Sequence, residues 1–270
     1  MPQIPIYQID AFTDRRFKGN PAAVCPLEEW LPDALMQAIA AENNLAETAF
    51  FAPLPKGEGE GYRLRWFTPA VEVDLCGHAT LASAHVLFRH LGHQGDAIRF
   101  ETRSGALVVT REGEMLALDF PALPPAPAEA PAGLAEALGG QPREVLRGAN
   151  KFLLVFEREA DVAALAPDFR ALREIGHSYR TGFLASAPGD ESGVDFVSRY
   201  FAPAHGIDED PVTGSAHCVS TPYWAKRLGK AELTARQISP RGGELFVTDR
   251  GQRIRIAGRA VDYLAGAITV

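Results

Sequence analysis

The sequence predicts an α+β protein of two related domains, each a mostly antiparallel, barrel-like sheet curled around one central helix. Three observations predict it. "RWFTPAVEVDLCGHATLASAHVLFRHLG" from Arg65 is written again as "RYFAPAHGIDEDPVTGSAHCVSTPYWAKRLG" from Arg199; alternating apolar stretches flank both copies; and one Ala/Pro-rich run, "PALPPAPAEAPAG", separates them. Aligned from the left, Arg65 pairs with Arg199, Phe67 with Phe201 and Pro69 with Pro203. Aligned from the right, Gly77 pairs with Gly214, Ala79 with Ala216, Ser83 with Ser220 and Gly92 with Gly229. Only the loop between differs in length. The period is too long for a solenoid, so the duplication implies two domains, 1–122 and 123–270, with the last strand free to pack on the first domain.

The elements follow in order. "IPIYQIDAF", "AAVCPL", "ETAFFAPL" and "YRLRWFTP" read as strands, the last closed by Pro69, with "PDALMQAIAAENN" as a surface helix. "GHATLASAHVLFRHLG" puts Leu81, Ala84, His85 and Phe88 on one helical face, with Gly92 as a stop. The long alternating run from Ala97 to Phe120 supplies more strands. In the second half, "APAGLAEALGG" reads as a helix, and "KFLLVFE", "SYRTGFLASAP", "VDFVSRYFAP", "ELFVTDRGQRIRIAG" and "YLAGAITV" as strands. The repeated helix "GSAHCVSTPYWAKRLG" contains Pro222, which should kink or interrupt it.

Composition narrows the function. With 270 residues, 46% hydrophobic and 23% charged, the chain can bury one large core or two modest ones. No apolar run approaches the roughly 20 residues of a membrane span, and "MPQIPIYQIDAF" lacks the layout of a signal peptide. A cytoplasmic protein with no membrane partner is expected. A net charge of -7 without a Lys/Arg cluster argues against nucleic acid. The three cysteines, Cys25, Cys76 and Cys218, are too scattered for a disulfide framework or a CxxC-type zinc site, so no metal is expected and reduced thiols are.

Candidate chemistry concentrates where the copies differ. Gly77 and Gly214 open helices whose free N–H groups and dipoles could hold a small carboxylate, or they are helix caps and no more. Cys76 and His78 in one copy stand where the other has Asp210, Thr213 and Ser215. These are unlike groups on a shared frame, as expected when two halves supply different parts of one reaction. The positive end of the helix should keep His78 neutral. In "NNLAETAFFAPL", Glu47 would lie on an apolar strand face with Leu45, Ala49 and Phe51, where a carboxyl can take and return a proton near neutral pH. The alternative is an edge strand with Glu47 in solvent. In "FKGNPAAV", Asn20 either stabilises its own turn or offers its amide to a ligand.

Four motifs in order, "DAFTDRRFKGNPAAV", "NLAETAFF", "VDLCGHATLASAHVL" and "EDPVTGSAH", make the chain resemble the PhzF-like (phenazine biosynthesis) family, which has the diaminopimelate epimerase fold. The resemblance spans essentially the whole chain. It implies a cofactor-independent isomerase, a homodimer, in a biosynthetic process, acting on a small carboxylated unsaturated or cyclic metabolite in a cleft between the halves. It implies Glu47 as general acid/base, His78 and Asp210 assisting, and Asn20, Cys76, Gly77, Gly214 and Ser215 binding substrate. The related epimerases use two cysteines, one at each helix start. Here Thr213 replaces the second, which disfavours that route. Two other readings stay open: an amino-acid racemase or epimerase, and a non-catalytic small-anion sensor.

Overall fold

The computed structural model describes residues 3–270. The chain divides into two compact units, Met1–Asp119 with Ala257–Val270, and Phe120–Ile256. Thus the stretch after Ala257, read from sequence with the second half, groups with the first.

The first unit runs β1 (Gln3–Ala11), β2 (Asn20–Pro26), α1 (Asp33–Asn43), β3 (Glu47–Pro53), β4 (Tyr62–Phe67), β5 (Glu72–Val73), α2 (Gly77–Arg89), β6 (Ala97–Thr102), β7 (Gly105–Glu112) and β8 (Met115–Pro121). In the second come β9 (Ala126–Pro127), α3 (Leu134–Leu138), β10 (Glu144–Gly148), β11 (Lys151–Val155), α4 (Glu159–Ala163), α5 (Phe169–Tyr179), β12 (Gly182–Pro188), β13 (Phe196–Ala202), β14 (Ile207–Asp210), α6 (Gly214–Leu228), β15 (Glu232–Gln237), β16 (Gly243–Asp249) and β17 (Arg253–Gly258). The last strand, β18 (Ala260–Thr269), lies antiparallel to β1 from Gln3 opposite Thr269 to Ala11 opposite Ala260. That pairing is why the tail belongs to the first unit.

The duplication is written into the pairing. In the first unit β1–β2 is antiparallel, β2–β3 parallel, β3–β4 antiparallel, β4–β5 antiparallel, β4–β6 parallel and β6–β7 antiparallel. The second repeats the order with β10–β11, β11–β12, β12–β13, β13–β14, β13–β15 and β15–β16. Even a local brace recurs. Arg65 donates from Nε and NH2 to the two oxygens of Glu72 at 2.7 and 2.8 Å, and Arg199 does the same to Glu209 at 2.8 Å each. Two-pronged, partly buried contacts of this kind fix geometry as well as adding energy, and here each holds the strand that leads to the repeated loop.

Both units wrap strands around a helix made of small residues. All of α2 from His78 to Ala84 is buried, and it packs against β1, β2, β3, β7 and β18. In the second unit α6 packs against β11, β15 and β16. Each unit has its own apolar cluster: Ile4, Ile6, Met36, Phe50 and Phe67 in the first, Phe152, Leu154, Leu172, Phe183 and Phe201 in the second.

Several sequence expectations need correction. Pro222 does not break its helix, because α6 runs unbroken through it. The carbonyl that Pro222 cannot satisfy, that of Cys218, accepts from the Leu123 amide at 2.9 Å instead. That same contact, with β9 pairing on β10, shows the Ala/Pro-rich run docked rather than free. The strand expected over "SYRTGFLASAP" begins only at Gly182, since Phe169–Tyr179 is helical. Asp168 caps that helix by accepting from the amides of Arg170 and Ala171, a signal the sequence did contain.

Candidate active site

Two loops and two strand starts position the proposed residues. Glu47 opens β3, in parallel register with Ala22 of β2, and the rest of the strand to Ala52 is buried. Asn20 opens β2, directly opposite Ala11 of β1. The turn before it needs Gly19. Its φ is +64°, and a Cβ there would stand 2.2 Å from the Ala11 carbonyl oxygen. Cys76 is the N-cap of α2 and His78 lies in its first turn.

These four side chains meet at the His78 ring. Nδ1 lies 3.2 Å from Asn20 Nδ2 and 3.5 Å from Cys76 Sγ, while Nε2 lies 3.1 Å from Glu47 Oε2. The Nε2 contact is close but off the hydrogen-bond line, so Coulomb attraction is its main content. Asn20 is fully buried, and its side-chain amide lies against the imidazole. Oε2 of Glu47 is sealed from solvent, yet the side chain as a whole keeps 19% of its surface exposed. One carboxylate oxygen is therefore held by His78 while the group stays accessible.

The charge state of His78 reverses the expectation. Burial opposes the imidazolium, but Cys76 and Glu47 favour it, and the net effect lifts its pKa well above the ordinary value. Burial, followed by the Glu47 charge, pushes the Cys76 thiol up to about 11, against smaller opposing effects of His78. A thiol with that pKa is neutral near pH 7. Glu47, which lies against Nε2, is the other group that raises the His78 pKa. A helix terminus is worth about 0.3–1 kcal/mol to a charged side chain, whereas opposite unit charges about 3 Å apart attract by roughly 5 kcal/mol at an effective dielectric of about 20. The carboxylate outweighs the dipole as an influence on the ring, while burial, the largest single effect, opposes the charge.

Glu47, Cys76 and His78 also bring donor atoms within 4.8 Å of one another. A metal there would have to displace protons from both the thiol and the imidazolium, which weighs against it.

In the second unit Thr213 is the N-cap of α6. Its hydroxyl donates to Asp210 Oδ2 at 2.5 Å, and its amide donates to Gln237 Oε1 at 2.8 Å. Gln237 Nε2 donates in turn to the Asp210 carbonyl at 2.7 Å. Gly214 and Ser215 follow as the first helical residues. The sequence reading missed Gln237. It lies on β15, 24 residues from Thr213, and no local pattern marks it. Glu47, Asn20, Cys76 and His78 form one cluster in the first unit; Asp210, Gly214 and Ser215 share one loop and helix start in the second.

Comparison with known proteins decides the family. The model of the PhzC-PhzF family, phenazine biosynthesis-like protein, matches residues 9–266. The chain belongs to the phenazine biosynthesis-like family. An uncharacterised isomerase from Pseudomonas aeruginosa is 53% identical over 266 residues, 98% of each chain. The crystal structure of a PhzF-family phenazine biosynthesis protein from Enterococcus faecalis superposes with a TM-score of 0.92 at 44% identity, covering 100% of both chains. A P. aeruginosa protein described as a predicted epimerase matches at TM-score 0.75 and 22% identity over 99% of each chain, a likeness of fold alone. Membership places this enzyme among phenazine biosynthesis-like isomerases. Among the described residues no helix is long and apolar enough to cross a membrane.

Proposed function

We propose that this enzyme is a cofactor-independent isomerase that moves a proton between carbons of a small carboxylated, unsaturated or cyclic metabolite, with Glu47 as the general acid/base. The observation that carries the reading is the accessible Glu47 carboxylate held 3.1 Å from a buried His78. An ionised Glu47 removes a proton from an activated carbon, and the electron pair of the broken C–H bond spreads through the conjugated system. The same carboxyl then returns the proton to another carbon, so no oxidant, reductant or water is consumed. His78 balances the carboxylate charge before the transfer and fixes which oxygen stays available. Asn20 and Cys76 orient the imidazole through Nδ1. The amides of Gly77 and Gly214, at the two helix starts, suit a substrate carboxylate, and Asp210 and Ser215 are proposed to assist from the second unit on the strength of the family resemblance. The same resemblance underlies the proposals of a homodimer, a cytoplasmic location and a biosynthetic role.

A racemase would need a second base at Thr213, whose hydroxyl is already engaged by Asp210. That supports the single-carboxyl route. The test is turnover of candidate unsaturated carboxylic acids in deuterated water. Deuterium at a new carbon with relocation of the double bond supports the proposal; inversion of one stereocentre points to a racemase; saturable binding of acids without turnover points to a sensor.

A further inference from the structure

The far end of α2 carries a second cluster that the proposed reaction does not use. His85 Nε2 and His90 Nε2 both approach one oxygen, Asp262 Oδ1 on β18, at 3.1 and 2.7 Å. Residues five apart in a regular helix point about 140° away from each other. His90 is nonetheless brought in: it is the C-cap, just past the last helical residue Arg89, and its ring lies against Tyr7, tilted by 34° with centroids 4.6 Å apart. The carboxylate is oriented independently. Arg89 Nε donates to its other oxygen, Oδ2, at 3.0 Å, and Arg16 Nε donates to the Asp262 backbone carbonyl at 2.8 Å. Oδ1 is thus left to the two imidazoles.

We infer that His85, His90 and Asp262 form a binding site for a divalent first-row cation of the zinc type, remote from the Glu47 chemistry. The three donor atoms lie within 4.8 Å of one another. Two imidazoles and a carboxylate are a donor set that zinc accepts, with metal–donor distances of about 2.0–2.2 Å, which put neighbouring donors of a tetrahedral ion about 3.3 Å apart. The two nitrogen–oxygen spacings need to open by about 0.2 and about 0.6 Å. His85 and Asp262 also line a cavity of about 470 Å³ whose other charged residues are Asp14, Glu114, Arg16, Arg89, Arg111 and Arg259, so these two donors are open to entry. Arg89 and Arg16 weaken a cation's attraction, but Arg89 is 66% exposed and well screened. The competing account is a plain latch, in which the histidines tie the helix end to β18 and bind nothing.

The experiment titrates chelator-treated protein with Co2+ in the visible range and with Zn2+ by calorimetry. One equivalent should bind, with cobalt bands of nitrogen and oxygen ligation and no thiolate charge-transfer band. His85→Gln and His90→Gln should each weaken binding by at least about tenfold, and Zn2+ should raise the thermal midpoint of wild type but not of either variant. Should His90→Gln fail to fold, Asp262→Asn serves in its place. Binding must survive His78→Gln and Cys76→Ser, which rules out the Glu47 cluster as its seat. Absence of saturable binding, persistence of full affinity in both His85→Gln and His90→Gln, or loss with His78→Gln each overturns the inference.

Discussion

Two buried histidines on sister helices have opposite fates. His78 enters α2 beside Glu47, and its pKa is raised well above the ordinary value. His217, one turn inside α6, has no acid against it; its Nδ1 donates to the Thr213 carbonyl at 2.9 Å, its Nε2 is buried without a partner, and burial pushes its pKa down to about 4. In α2 the residue equivalent to His217 is Thr80, whose hydroxyl donates to the Cys76 carbonyl at 2.6 Å, so the back-bond is common to both copies and the charge is not. The backbone plan was duplicated faithfully, and chemistry was then assigned by changing which side chain faces which. Charge was concentrated at the first helix start; hydrogen bonding took over at the second.

The sharpest break of this comparison is Glu47→Gln. It should lower kcat by about 10³-fold, the scale of a lost general acid/base, while a substrate analogue binds nearly as before. Equal loss of binding and turnover would assign Glu47 to binding alone. Asp210→Asn should cost far less, and the inequality is what distinguishes the two copies.

Next in size is the dependence of stability on pH. The unfolded His217 takes up a proton near its ordinary 6.5, whereas the folded one resists until about 4, so the native state loses stability as pH falls between those values. The full loss is about 3 kcal/mol. His78 has the opposite sign: its contribution is complete below the ordinary histidine range and is lost as pH rises through its elevated folded value. Urea unfolding of His217→Gln from pH 7 to 4 should show a flatter profile than wild type; an unchanged profile removes the contrast.

Gln237→Ala should destabilise the protein by about 2 kcal/mol, since the buried Thr213 amide loses its acceptor and the Asp210 carbonyl loses one donor. Chemical denaturation measures it. The smallest effect belongs to Cys76→Ser. A thiol that stays protonated is no base, so kcat should fall less than about tenfold. A loss as large as that of Glu47→Gln would restore a thiol mechanism.

Much of this was legible in the residues. The repeat announced itself because strand, turn and helix signals are local: Pro69 and Pro203 end strands, Gly77 and Gly214 open helices, and these spacings survive in one dimension. Glu47, His78 and Asn20 stood out as polar residues in apolar or glycine-marked surroundings. Their meeting at one imidazole did not, because it depends on the register of β2 against β3 and on the fold that brings Asn20 and His78, 58 residues apart, into contact. The upward shift of His78 was hidden for the same reason: the helix dipole is visible in sequence, the nearby carboxylate is not. Gln237 and Asp262 act across 24 and more than 170 residues, respectively, and carry no local mark.

The pairing of β18 with β1 sets a timetable for synthesis. One edge of the first strand, with Ile4, Ile6 and Ile9 along it, can be covered only after the entire second unit has been made. At ordinary translation speeds of about 5–20 residues per second, that wait lasts roughly 7–30 s. The nascent first unit must spend it as an unfinished sheet, exposed to any strand that finds it first.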